Sequence, residues 1–186
     1  MAERDLILLR HGLAEPHGSR EDDLRALTPE GRQRTLRVCQ RAVAIGLRAG
    51  ALITSPLTRA RQTGEIAVEA GLAPALTCSG ALAPGADPWP LIQHWWAGES
   101  AAPGGLILVG HEPDLGDLVC RLIGAPAGAV GLKKAGIALL SWPGGTLDGP
   151  ARLRLLLSPR SLAALCVRPR VGKWQPGLRL RAAADA

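Results

Sequence analysis

The chain has no phenylalanine, no tyrosine and one methionine in 186 residues; its five tryptophans are all the aromatic rings of that class it owns. A core must therefore be built from Leu, Ala, Val and Ile, and the interleaved aromatic platforms on which single-stranded nucleic acid stacks are missing. Cysteine is sparse as well. Cys39, Cys78, Cys120 and Cys166 form no C-x-x-C pair, and none has a histidine at ligand spacing. That argues against a zinc site and against a disulfide framework. All four are expected to be buried small hydrophobes in a reducing compartment. No apolar run approaches the ~20 residues of a membrane span. The start, Met-Ala-Glu-Arg-Asp, lacks the basic region, longer apolar stretch and cleavage site of a signal peptide. A cytoplasmic protein with no membrane partner is the expectation. Net charge is also scarce over most of the chain. The formal charge is +6, yet Arg160, Arg168, Arg170, Lys173, Arg179 and Arg181 against Asp185 give residues 159–186 a net +5 and leave 1–158 at +1. The basicity belongs to the C-terminal segment, and a nucleic-acid partner is not expected.

What is present is a repeated grammar. Leu6-Ile7-Leu8-Leu9 runs into Arg10-His11-Gly12, and Leu106-Ile107-Leu108-Val109 runs into Gly110-His111. Both apolar runs are too short for a buried helix and are predicted to be buried strands. Ala51–Thr54 and an edge segment Ala75–Cys78 are predicted as further strands, and Ile137–Trp142 with Leu153–Leu157 as a closing pair. Between them lie helices. Thr28-Pro29-Glu30 starts one, with a good N-cap, proline at the first position and an acid at the positive end. Its apolar face is expected at Leu36, Cys39, Val43 and Leu47, with Arg34, Arg37 and Arg41 on the solvated side. Ser55-Pro56 is expected to open a second helix through about Ala70, Pro88–Ala97 a third, and Pro113 a fourth with Leu115, Leu118, Val119, Leu122 and Ile123 inward. At 47% hydrophobic, the chain can bury one substantial core. Alternating strand and helix predicts a single three-layer α/β domain, a mostly parallel sheet with helices on both faces. That domain is expected to span 1–165, followed by a basic C-terminal tail, 166–186.

In such sheets ligands bind at the carboxyl ends of the strands. Two histidines and an arginine delivered there suggest chemistry on an anion, with one imidazole as nucleophile and the guanidinium as charge clamp. Gly12 lets the backbone turn sharply and lets a bulky anion approach. In Ser55-Pro56-Leu57-Thr58-Arg59-Ala60-Arg61, an arginine occupies the first turn of a helix after a strand. Helix N-termini favour anions, and a guanidinium binds phosphate bidentately. Arg59 and Arg61 lie two apart and point to different faces, so one of them faces the strand ends. Gly110-His111-Glu112-Pro113 adds the second histidine.

Together these segments resemble the histidine phosphatase superfamily, and within it the small SixA-type phosphohistidine phosphatases. The similar segments are LILLRHGLAEP, DDLRALTPEGRQR, LITSPLTRARQTGEIA, LILVGHEPDLGDLV, LKKAGIALLSW and RLRLLLSPRSL, covering most of 6–162. The resemblance implies a phosphoglycerate-mutase-like fold and a metal-independent hydrolase with no cofactor. It implies His11 as phospho-accepting nucleophile, Arg10 and Arg59 as phosphate ligands, and His111 completing the pocket. Gly12, Arg25 and Glu112 are candidate substrate contacts. The partner would be a phosphorylated protein carrying phosphohistidine, or a small phosphorylated metabolite; a non-catalytic phosphate-binding module is the remaining reading.

The leaving group separates the substrates. An alkoxide wants a general acid, and the loop Ser79–Ala86 carries no carboxylate. Imidazole leaves readily, so the bare loop favours N–P over O–P bonds. Glu112 is either the acid for an ester or a helix N-terminal carboxylate placed by the dipole. His17, His94, Trp95, Trp96, Lys133 and Lys134 lack motif context, and surface or packing roles are expected for them.

Overall fold

The computed structural model describes residues 4–98 and 105–165. Six strands form one sheet: β1 (Arg4–Arg10), β2 (Ala51–Thr54), β3 (Leu76–Cys78), β4 (Leu106–Gly110), β5 (Ile137–Trp142) and β6 (Arg152–Leu157). Their order across the sheet is β3-β2-β4-β1-β5-β6. The first four in that order run parallel; β5 is antiparallel to β1, and β6 to β5. The helices are α1 (Pro29–Ala44), α2 (Thr58–Glu69), α3 (Trp89–Ala97), α4 (Asp114–Ile123) and α5 (Pro159–Ala164). No described helix is long and apolar enough to cross a membrane.

The continuous apolar runs of β1 and β4 are explained by burial on both faces. Leu6, Leu8, Leu106 and Leu108 pack with α3 and α4 on one side, through Ile92, Trp96, Leu115 and Val119. Ile7, Leu9, Ile107 and Val109 pack with α1, α2 and α5 on the other, through Val38, Cys39, Ile66 and Leu162. The three-layer α/β architecture is as predicted, and the central strands carry one core on each side.

Local chemistry sets the boundaries. Thr28 Oγ1 accepts the Gly31 N–H at 3.0 Å and Pro29 opens α1. Gly124, at φ +73°, closes α4 in the left-handed conformation that glycine adopts without strain. Three expectations need correction. Helix α2 starts at Thr58 rather than at Ser55, because the Ser55 N–H still donates to the Val109 carbonyl at 2.9 Å and extends the β2–β4 ladder. The buried face of α1 is Gly31, Thr35, Val38, Cys39 and Ala42, with Leu36 and Val43 at its margin; the stripe is turned because Gly31 packs closely on the preceding loop. Cys78 is exposed at the sheet edge, while Cys39 and Cys120 are buried. Helix α5 was not foreseen, although Ser158-Pro159 repeats the Thr28-Pro29 signal: Ser158 Oγ accepts the Ser161 N–H at 3.0 Å. The expected tail, 166–186, and Cys166 with it, lie outside the described residues.

Two backbone contacts join the two ends of the β1–α1 loop. The Thr28 N–H donates to the Leu13 carbonyl at 3.0 Å, and Glu15 N–H to Ala26 at 2.9 Å. Gly31 permits this, since a Cβ there would overlap the Leu13 carbonyl. Gly31→Ala should therefore cost ~1–3 kcal/mol of unfolding free energy, as overpacking against backbone does. Gly80→Ala, with nothing within 4 Å of the added carbon, should stay within about 0.5 kcal/mol in the same urea titration. Equal effects would contradict the packing.

Candidate active site

The parallel β1–β4 register places Arg10 opposite Gly110, so the residues that follow, His11 and His111, meet at the carboxyl edge. The His11 N–H donates to the Gly110 carbonyl at 3.0 Å. The two imidazole centroids are 5.1 Å apart and the rings are tilted by 52°. Both histidines are buried.

Each ring is held at one nitrogen. His11 Nδ1 lies 2.8 Å from the Gly12 carbonyl. A carbonyl can only accept, so Nδ1 carries the proton and Nε2 keeps its lone pair. His111 Nε2 lies 2.9 Å from Ser55 Oγ. That hydroxyl also accepts the Leu57 N–H at 3.3 Å; its proton and its second lone pair let it serve either neutral form of the His111 ring. The other ring nitrogen, Nδ1, is buried and has no hydrogen-bond partner. Both rings are neutral at neutral pH. Burial first, then the neighbouring His111, Arg59 and Arg10 against the opposing Gly12 carbonyl, push His11 down to about 3. Burial and Arg59 push His111 down to about 4 against the opposing pull of Asp22.

The cations come from three places. Arg10 closes β1 and donates from Nη1 to the Leu132 carbonyl at 2.7 Å. Arg59, in the first turn of α2, is buried, whereas Arg61 is exposed and reaches Glu65 at 4.0 Å. Of the two arginines left open by the sequence, Arg59 is thus the one at the strand ends. Arg25 is buried in the β1–α1 loop and donates from Nη1 to the Glu15 carbonyl at 2.7 Å. Gly12 supports the arrangement through its backbone: its N–H donates to Thr63 Oγ1 at 3.1 Å, and Thr63 donates to the Arg59 carbonyl at 2.8 Å. A Cβ at Gly12 would overlap Thr35 Oγ1.

Glu112, next after His111, is turned to the segment that precedes β5. Its Oε1 accepts the Leu132 N–H at 2.9 Å, so it braces the segment whose carbonyl holds Arg10. Burial raises its pKa and the Leu132 N–H opposes that rise. The following segment touches the nucleophile's backbone: the Ala135 N–H donates to the His11 carbonyl at 3.1 Å, with Ala135 itself at φ +58°. Lys133 and Lys134 beside it are exposed, as is His94. Ala81, Leu82 and Ala83 line a small cavity with His111, giving it an apolar flank. The adjacent carboxylates are engaged: Asp114 accepts the Gly85 N–H, and Asp87 pairs with Arg121 at 3.1 Å.

Three site residues escaped the sequence. Asp22 sits on a short 3-10 turn, Asp22–Leu24. Its Oδ2 accepts Arg59 Nη2 at 2.9 Å, its carbonyl accepts Arg59 Nη1 at 2.7 Å, and its Oδ1 accepts Arg25 Nε at 2.8 Å. Ser55 orients His111, and His17 lies against Asp22 at 3.4 Å. The Asp22–Arg25 spacing of three was the available clue.

Arg10 Nε and Arg59 Nε are buried N–H groups without a partner, and His111 Nδ1 is a buried ring nitrogen without one. Each bare donor costs about 1–3 kcal/mol. A tetrahedral oxyanion is a group with lone pairs enough for several such donors at once, and neutral Nε2 of His11 is a nucleophile beside them. Among the described residues, no group of three or more His, Cys, Asp or Glu could hold a metal ion.

Known proteins share this arrangement's framework. Residues 6–79 match the family model described as histidine phosphatase superfamily (branch 1). An uncharacterized protein of Picosynechococcus sp. (strain ATCC 27264 / PCC 7002 / PR-6) is 37% identical over 168 residues, covering 85% of this chain and 98% of that one. The solved structure of the protein histidine phosphatase SixA complexed with tungstate superposes with a TM-score of 0.72 at 21% identity, covering 85% of this chain and 99% of that one. A mycobacterial glucosyl-3-phosphoglycerate phosphatase superposes with a TM-score of 0.63 at 20% identity, covering 84% and 99%. At these identities the two structures speak to the fold, which is the phosphoglycerate-mutase-like one.

The depressed pKa values are directly measurable. In ring-labelled, ligand-free protein, the His11 and His111 resonances should stay those of neutral imidazole from pH 8 to about 5, because both groups titrate well below the ordinary 6.5. An unfolded chain would take up protons on both rings over that interval, so stability should fall as pH drops below about 6.5. Titration of either ring near 6.5 would contradict the described burial.

Proposed function

This chain belongs to the histidine phosphatase superfamily, and on that premise we propose that it is a phosphatase that forms a phosphohistidine intermediate on His11 and removes phosphate from phosphohistidine in a protein. The observation that carries the proposal is the lock on the His11 ring. With Nδ1–H donated to the Gly12 carbonyl, Nε2 is committed as an unprotonated nucleophile at neutral pH, and no base is needed to activate it.

The reaction follows from the surrounding groups. Nε2 of His11 bonds to phosphorus as the bond from phosphorus to the leaving group breaks. Charge spreads over the equatorial oxygens, where Arg10, Arg59 and the His111 ring in its Nδ1–H form receive it. Phosphoryl transfer asks mainly for positioning and charge stabilisation, and these residues supply both from rigid strand ends and a helix terminus. Water then attacks the phosphorus of phosphohistidine, phosphate departs and His11 is neutral again. Arg25 supports Arg59 through their shared partner Asp22, and Gly12, the residue after the nucleophile, packs against α1, where a Cβ would overlap Thr35 Oγ1.

A nitrogen leaving group is supported by the apolar flank of His111, formed by Ala81, Leu82 and Ala83, and by the engagement of Glu112 with Leu132. Asp114 also lines that cavity, with its Oδ2 accepting the Gly85 N–H. The match in fold to a protein histidine phosphatase points the same way. The cytoplasm, where phosphorylated proteins are found, suits such an activity.

Turnover of a phosphohistidine peptide should be abolished by His11→Ala, together with any labelling of the protein by phosphate. His111→Ala should slow turnover by ~10²–10³, the size of a lost oxyanion donor. EDTA should have no effect. A His11→Ala protein that still turns over rapidly would remove the covalent mechanism. Efficient hydrolysis of alkyl phosphates with little action on phosphohistidine would replace the protein substrate with a small phosphorylated metabolite.

A further inference from the structure

Asp22 is the ionisable group closest bound to the arginine pair that the steps above do not use. Its carboxylate separates two environments. The side chains of Arg59 and Arg25 are 5% and 7% exposed, whereas that of Asp22 is 48% exposed. The carboxylate is thus the layer between a buried guanidinium pair and solvent. The half-exposed Asp22 carboxylate is therefore within reach of a substrate group that extends from Arg59 toward solvent.

That carboxylate already has an imidazole against it. His17 Nδ1 lies 3.4 Å from Asp22 Oδ1, and the His17 side chain is 86% exposed. Arg25 Nη2 lies 3.5 Å from His17 Nε2. A guanidinium can only donate, so His17 Nε2 accepts and Nδ1–H points to Asp22. An almost fully exposed ring on a Gly- and Ser-containing loop is weakly held, and another imidazole can take its place.

We propose that Asp22 is a specificity residue whose carboxylate accepts the N–H of the leaving imidazole of a phosphohistidine, in the position His17 takes in the free protein. This rests on the phosphohistidine phosphatase reading given above. The chemistry balances without an added acid. In a phosphoimidazole, one ring nitrogen bears phosphorus; the other can carry a proton and make the ring a cation. As the bond from phosphorus to His11 Nε2 forms, the bond to the substrate nitrogen breaks and its electron pair stays on that nitrogen. The ring departs as neutral imidazole, with its N–H still on the far nitrogen. An ionised carboxylate beside that N–H favours the protonated, easily expelled form. The same carboxylate repels the negative charge that grows on the oxygen of a departing alkoxide or phenoxide, so it discriminates against esters as well as for nitrogen.

The state of Asp22 agrees with this role. Partial desolvation pushes its pKa up, but the hydrogen bonds from Arg25 and Arg59 outweigh that and hold it below the usual carboxylate range. It is a carboxylate that accepts and does not supply a proton.

The test uses the full-length protein, its Asp22→Asn variant and its Asp22→Glu variant. The substrates are a phosphohistidine peptide and p-nitrophenyl phosphate. In Asp22→Asn, the ratio of kcat/KM for the peptide to that for the ester should fall by about 10–100-fold, the size of a lost hydrogen bond to a charged group. Asp22→Glu should regain part of that ratio. Parallel losses on both substrates would overturn the inference and leave Asp22 as a prop for Arg59. A ratio that rises in Asp22→Asn would overturn it too, and make Asp22 a proton donor to esters. A parent protein active on the ester and inert to the peptide overturns the inference but not the phosphatase activity. A parent inert to both removes the phosphatase reading, and this inference with it.

Discussion

The pairing of β1 with β4 carries the site. Arg10 faces Gly110 across a parallel ladder, and the His11 N–H reaches the Gly110 carbonyl one step further on. Side chains alternate between sheet faces, so a slip of one residue would send the two histidines to opposite sides. The leucines and isoleucines before them prevent that slip. Leu6 and Leu8 must enter one core while Ile7 and Leu9 enter the other, and burial of each is worth about 1.5–3 kcal/mol. The same packing energy that specifies the fold therefore specifies a distance of 5.1 Å between two imidazole rings.

Around that pair, the electrostatics divide into an inner and an outer layer. Inside, burial and cations keep both rings neutral; a backbone carbonyl fixes the His11 proton on Nδ1, and a serine hydroxyl holds the Nε2 edge of His111. A neutral ring can be a nucleophile at one position and a hydrogen-bond donor at the other, and the two histidines divide those tasks. Outside, Asp22 neutralises and orients Arg25 and Arg59. Without a carboxylate there, two buried guanidinium groups would face each other's charge in a low-dielectric pocket, where burial of unpaired charge is costly. Second contacts reach further back: Glu112 holds Leu132, which holds Arg10.

Most of this was legible in the sequence because the informative residues sit where local pattern and long-range geometry coincide. His11, Arg10, Gly12 and His111 follow apolar runs whose identity as buried strands is a short-range property, and Arg59 sits in the first turn of a helix. Alternation of strand and helix implies a mostly parallel sheet with both histidines at its carboxyl edge; the order that makes β1 and β4 neighbours is visible only in the structure. What escaped was set by contacts between distant segments. Ser55 looked like a helix opener, yet it remains in the ladder through Val109 and turns its hydroxyl to His111. Asp22 lies in a polar loop whose composition gives no direction; only the folding of that loop back onto α2 makes it a partner of Arg59. Helix α5 has only six residues, too few for an apolar period to show, and its Ser158-Pro159 start is the one local signal for it.

The central claim is that the phosphoryl group passes through Nε2 of His11. Acid quenching would destroy that bond, so the protein should be mixed with a phosphohistidine peptide, quenched in alkali and digested for phosphorus-31 NMR and mass spectrometry. The account predicts one acid-labile phosphoryl group, on His11, at the nitrogen remote from Cβ. Phosphate on Nδ1, on another residue, or on no residue during turnover would contradict it.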